Sequence, residues 1–267
     1  MNNAERPLMG REVSNYVGVT LREVDDLVIA GHAPIAPHLC GRDGAVRSGV
    51  LLTMLDNVGG LNGGLAALPD GWVVSTNLAA RVVARAQRGP LRLDSRVLRR
   101  GRNSVVTEVG IRDQGAHDTL VASGVLTSAI LVPENGPPQW ERPVELGTLD
   151  NGNSPKPAVA EWLGVRTVDG DTIEIDLADE LRNPWGILHG GVVATLVDLT
   201  AEHATRGGWT TDVVLHYLAP NRVGPVRARA RVLGRRADGD VVRVEVRDEG
   251  AARTTAIAIA TCFTAGE

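Results

Sequence analysis

The chain has 267 residues, 43% of them apolar, with a net charge of −4 and a pI near 5.9. That balance excludes a disordered chain and gives no global bias toward nucleic acid. No apolar run approaches the roughly 20 residues of a membrane helix, and the polar start MNNAERPLMGREV does not read as a signal peptide, so a cytoplasmic protein is expected.

In chain order, an alternating run over 28–35 predicts a strand and 48–62 a helix. Strands follow over 73–83, 91–98, 105–111 and 120–131. Residues 133–157 hold six of the chain's 14 prolines and little periodicity, and read as a semi-extended linker. A strand over 172–177 and a helix over 190–205, ended by Gly207 and Gly208, come next. Four strands complete the chain, over 211–218, 226–233, 241–247 and 255–263. Aromatic residues make up only 3%, so Val, Leu, Ile and Ala must build the core. One strand, one long helix, then a run of antiparallel strands is an α+β layout, with a curved sheet wrapped around its most apolar helix.

That order occurs twice because the sequence does. Residues 75–116 align without a gap on 210–251, with 15 of 42 positions identical, including Gly89-Pro90 with Gly224-Pro225 and Arg112-Asp113 with Arg247-Asp248. Upstream, 44–56 align on 186–198 at a different offset, matching Gly49 with Gly191, Thr53 with Thr195 and Asp56 with Asp198. The first copy carries seven extra residues between its Asp and its first long strand. Two copies imply an internal pseudo-dimer of halves 1–132 and 158–267, whose site is shared between them.

The segment with chemistry in it is Asn183-Pro184-Trp185-Gly186-Ile187-Leu188-His189-Gly190-Gly191, followed by Asp198. Paired glycines let a ligand approach the backbone, and the first N–H groups of a helix are unpaired and sit at its positive end. Such groups polarise a carbonyl, and a carboxylate near held water acts as a general base. Eight residues of helix rise about 12 Å, so Gly190 and Asp198 cannot grip one small group. The Asp of one repeat, Asp56, is instead expected to face the glycine turn of the other.

Read as ordinary structure, Asn183 before a proline is a turn residue, and Ser75 and Thr210 pair across strands. His189 positions backbone, and Asp198 with His203, five apart, is no facing pair. His32, His38, His117 and His216 share no spacing. The arginine clusters 81/85/88 and 227/229/231 read as solvated strand faces or as a seat for a phosphorylated ligand. Cys40 and Cys262 fit no metal or redox spacing.

The pattern N-P-x-G-x-x-H-G-G-x6-D, with the strand TDVVLHYLAP at 211–220, resembles the hotdog-fold acyl-CoA thioesterases of the PaaI type. The resemblance covers about 160–264 directly and about 28–131 through the repeat. It implies a tandem double hotdog, each half a long central helix wrapped by a curved antiparallel β-sheet, that hydrolyses acyl-CoA without metal or cofactor. By the same resemblance, Asn183, His189 and Gly190 orient the thioester while Asp56 and Ser75 come from the opposing half. A reciprocal site would join Asp198 and Thr210 to Gly41, Arg47 and Ser48, which lack the Asn and the His. Gly191, Thr76, Thr210 and Arg81 are expected to contact substrate, and no nucleic acid or membrane partner is expected. Two such chains are expected to pair back to back. The alternatives are a non-catalytic acyl-CoA-binding protein and an enoyl-CoA hydratase. The hydratase resemblance would need an Asp two residues before Asn183, where Leu181 stands.

Overall fold

The computed structural model describes residues 11–134, 136–137, 143–147, 155–205 and 208–263. Most of the expected linker 133–157, the ends 1–10 and 264–267, and Gly207 lie outside them. The first half runs through α1 (Arg11–Val17), β1 (Thr20–Asp25), β2 (Val28–Ala33), α2 (Ser48–Ala67), β3 (Trp72–Val82), β4 (Leu91–Arg100), β5 (Ser104–Asp113) and β6 (Thr119–Leu131). After β7 (Glu145–Leu146) and α3 (Val159–Trp162), the second half repeats this with β8 (Arg166–Asp169), β9 (Thr172–Ile175) and α4 (Gly190–Ala204). It ends in β10 (Trp209–Tyr217), β11 (Val226–Arg236), β12 (Gly239–Asp248) and β13 (Arg253–Phe263).

Among the described residues all strands join one antiparallel sheet, in the order β7-β1-β2-β4-β5-β6-β3-β10-β13-β12-β11-β9-β8. Apart from β7, the order reads the same from either end through equivalent strands. The centre is the β3–β10 ladder, where Ala79 pairs with Val214, Arg81 with Asp212 and Asn77 with His216. Those pairs are symmetric about the equivalent residues Ala79 and Val214. The local pseudo-two-fold therefore passes between them.

The long helices pack against each other on the sheet's inner face, and this explains their composition. Leu51, Leu52, Met54 and Leu55 of α2 and Ala194, Leu196 and Val197 of α4 are at most 1% exposed. A helix covered by a sheet and a second helix has no face left for polar residues. At the crossing, an added Cβ on Gly191 would lie 2.8 Å from the Thr53 Cα, and one on Gly49 would lie 2.9 Å from the Thr195 Cα. The helices can touch only because both positions are glycine. The Thr53 hydroxyl donates to the Gly191 carbonyl at 2.7 Å and the Thr195 hydroxyl to the Gly49 carbonyl at 2.8 Å.

Five elements were not foreseen. Strands β1, β7 and β8, and helices α1 and α3, are too short to show a period. The seven extra residues of the first copy are spent largely on α2, which has 20 residues against 15 in α4. Part of the expected linker is sheet: Leu146 and Glu145 pair with Leu21 and Arg22 of β1. No helix among the described residues is long and apolar enough to cross a membrane.

Candidate active site

Asp56 sits on α2, two turns after the helix start, and is 4% exposed. An added Cβ on Gly190, the first residue of α4, would lie 2.8 Å from both carboxylate oxygens of Asp56. The carboxylate of one half is thus in contact with the glycine turn of the other. The Ser75 hydroxyl on β3 donates to Asp56 Oδ1 at 2.7 Å. Burial pushes the Asp56 carboxyl above the ordinary carboxylate value, opposed by His189, the Ser75 hydroxyl and the Gly191 N–H.

His189 caps α4. Its Nδ1 accepts the Gly191 N–H at 3.0 Å, so Nδ1 carries no proton and Nε2 holds it. Burial lowers the His189 pKa, against the pull of Asp56, which keeps the ring neutral near pH 7. The 3.5 Å approach of Nδ1 to Asp56 Oδ2 is therefore a contact between an acceptor and a carboxylate, and no ion pair. Tyr217, at the end of β10, donates its hydroxyl to the Gly190 carbonyl at 3.0 Å. That carbonyl and the Gly191 N–H belong to one peptide group, so Tyr217 and His189 hold its two ends. Burial and the nearby Asp56 raise the Tyr217 pKa, so it remains a donor.

Asn183 Oδ1 accepts the Trp185 N–H at 2.9 Å and the Ile187 N–H at 3.4 Å. The side chain shapes the turn and keeps its amide donor. Trp185 pins the turn to the other half, its indole N–H donating to the Val73 carbonyl at 2.8 Å.

These groups line a cavity of about 680 Å³, a size suited to a small-molecule ligand. Of the residues singled out in the sequence, Asp56, Ser75, Thr76, Asn183, His189 and Gly190 line it. Gly191 does not, though its N–H caps the turn. Arg81 is half exposed and pairs with Asp212 at 2.5 Å across the β3–β10 junction, away from the cavity. Tyr217 escaped sequence reading because a tyrosine in an alternating strand looks like packing.

The reciprocal arrangement exists with different residues at its turn. Asp198 is 2% exposed and accepts the Gly49 N–H at 2.8 Å. The Ser48 hydroxyl donates to the Thr210 carbonyl at 2.7 Å, and Arg47 pairs with Glu202 at 2.5 Å. None of Gly41, Arg47, Ser48, Asp198 and Thr210 lines the cavity. Among the described residues no cluster of three or more His, Cys, Asp or Glu could hold a metal ion.

Residues 44–119 match the thioesterase superfamily profile. The match falls on the first half, the copy whose turn has lost Asn and His. No curated protein matches the chain. Among solved structures, a protein described as an oleoyl thioesterase from Lactobacillus plantarum superposes with a TM-score of 0.66 at 13% identity, covering 91% of this chain and 99% of that one. A TesB protein from Mycobacterium avium subspecies paratuberculosis gives 0.63 at 13% identity, with 97% and 100% covered. A protein from Novosphingobium aromaticivorans described as a thioesterase gives 0.61 at 18%, with 92% and 98% covered. At these identities the superpositions speak for the fold. The thioesterase superfamily profile thus falls on the first half of the chain, and the superpositions give the chain as a whole the fold of the hotdog thioesterases.

Proposed function

We propose that this chain is an acyl-CoA thioesterase built as a tandem double hotdog, with halves at 1–132 and 158–267 and one working site between them. The observation that carries the reading is the buried Asp56 carboxylate of the first half against Gly190 of the second, inside the 680 Å³ cavity. Asp56 takes a proton from a water molecule, whose oxygen attacks the thioester carbon. The negative charge on the carbonyl oxygen develops against the Gly190 N–H, which has no partner inside its own helix. Collapse expels the coenzyme A thiolate, which regains a proton from the Asp56 carboxyl. Ser75 orients Asp56, while His189 and Tyr217 fix the turn. Asn183 keeps a side-chain donor for the substrate, and Thr76 lines its path. The reaction draws on no metal or cofactor. The two free thiols, Cys40 and Cys262, suit a reducing cytoplasm.

Free-thiol release from short-chain, medium-chain and aryl acyl-CoAs tests this. Asp56→Asn should lower kcat by about 10²-fold or more, the scale of a lost general base. The base must be ionised, so wild-type kcat/KM should fall as pH drops, with an apparent pKa above the ordinary carboxylate value of about 4. The residual activity of Asp56→Asn should lack that limb. Full activity in the variant would overturn the assignment of Asp56.

A further inference from the structure

We propose that Gly60 sets the size of acyl group the site admits, because the missing side chain at this position is what leaves the cavity open beside Asp56. The inference rests on the thioesterase reading and adds the residue that selects the substrate.

Gly60 lies one helical turn after Asp56 on α2, and both line the cavity. Positions four apart on a helix project from the same face, about 6 Å apart along the axis. A side chain at 60 would therefore enter the space that Asp56 faces. An added Cβ on Gly60 meets nothing within 4 Å. One turn further the face is closed, since an added Cβ on Gly64 would lie 2.5 Å from the Trp72 ring. Trp72 also lines the cavity. Asp56 and Trp72 thus bound an open run of α2, with Leu61, Val19, Leu21 and Leu146 as apolar walls. Apolar walls beside the reacting carbon suit the hydrocarbon part of an acyl group. Leu146 belongs to the strand in the segment joining the halves, so that segment closes one side.

The other half supplies a control. The equivalent of Gly60 in α4 is Glu202, and the equivalent of His189 is Arg47. Glu202 reaches Arg47 at 2.5 Å. A side chain at this helix position can therefore reach the residue that starts the opposite turn, close enough to the carboxylate for both to act on it. Across from Asn183 and His189, the α2 residue at the matching position is Gly60, and the position is bare.

The test compares wild type with Gly60→Ala and Gly60→Leu. Hydrolysis is followed for acyl-CoAs from acetyl to dodecanoyl and for benzoyl-CoA. Calorimetry then measures binding of S-alkyl-CoA thioethers of the same lengths. Alanine favours helix over glycine, so Gly60→Ala is expected to fold. The ratio of kcat/KM for dodecanoyl- to acetyl-CoA should drop by about tenfold or more in Gly60→Leu, the scale of a steric misfit in an apolar pocket. Gly60→Ala should fall between, and thioether affinity should follow chain length in the same way. Unchanged length profiles in folded variants, for hydrolysis and binding alike, would overturn the role of Gly60 and leave the thioesterase reading standing. Absence of turnover with length-selective thioether binding that depends on Gly60 would overturn the reaction and support the chamber. Neither turnover nor binding in wild type would overturn both.

Discussion

The two equivalent carboxylates, Asp56 and Asp198, show how neighbours decide what a buried Asp does. Asp198 is pushed up to about 6 by burial. The Thr210 side chain, the Gly49 N–H and Arg47 oppose the shift, while Glu202 adds to it. A folded-state pKa above the unfolded value of about 3.9 means the neutral form is favoured in the fold. Stability from this group is full below pH ~4 and is lost as pH rises through about 6. The loss is on the order of 3 kcal/mol at most, at 1.36 kcal/mol per unit. Asp198→Asn should remove that slope, so thermal melts should show the variant gaining on wild type between pH 4 and 8. A gap between the two that does not change with pH would contradict the shift. The placing of each Asp against the opposite glycine was readable beforehand, because helix rise alone forbids the pairing within one repeat. The grip of Tyr217 and His189 on one peptide group was not, since it depends on how a strand end meets a helix start.

The repeated elements carry repeated devices, and one of them is a carboxylate that ties a turn. Asp248, at the end of β12, accepts the N–H groups of Arg222, Val223 and Gly224 at 2.7, 3.0 and 2.9 Å. Asp113, at the end of β5, does the same for Gln87, Arg88 and Gly89 at 2.9, 2.9 and 2.7 Å. Burial would raise both, but the backbone donors hold both below the ordinary carboxylate value. Each Asp248 oxygen accepts two backbone N–H groups, so an amide in its place keeps one oxygen and turns its NH2 against two of those donors. Asp248→Asn should destabilise by about 1–3 kcal/mol, measured by chemical denaturation. A change within a few tenths would mean water serves those donors equally well. The identity of the Arg-Asp pairs in the two copies pointed to a shared element but not to the turn it ties. The long strands and both long helices follow from alternation and apolar runs. Strand β7 could not be read, because two residues carry no period and their partners in β1 lie more than a hundred positions earlier.

At the scale of the molecule, one sheet runs unbroken through both halves, and the site sits where the halves meet. The cavity opens in front of Asp56, while beside Asp198 the equivalent positions carry Arg47 paired with Glu202. Each chain should therefore bind one S-alkyl-CoA thioether, read as a calorimetric stoichiometry of one. A value of two would mean that the second position opens in solution. The β3–β10 ladder has a further consequence for how such a site can change over generations. In a dimer of identical subunits, one substitution alters both sites at once, so neither can be given up without the other. Joining the copies in one chain lifts that constraint. Arg47, Ser48 and Glu202 could then accumulate in one place while His189, Gly190 and Gly60 persisted in the other.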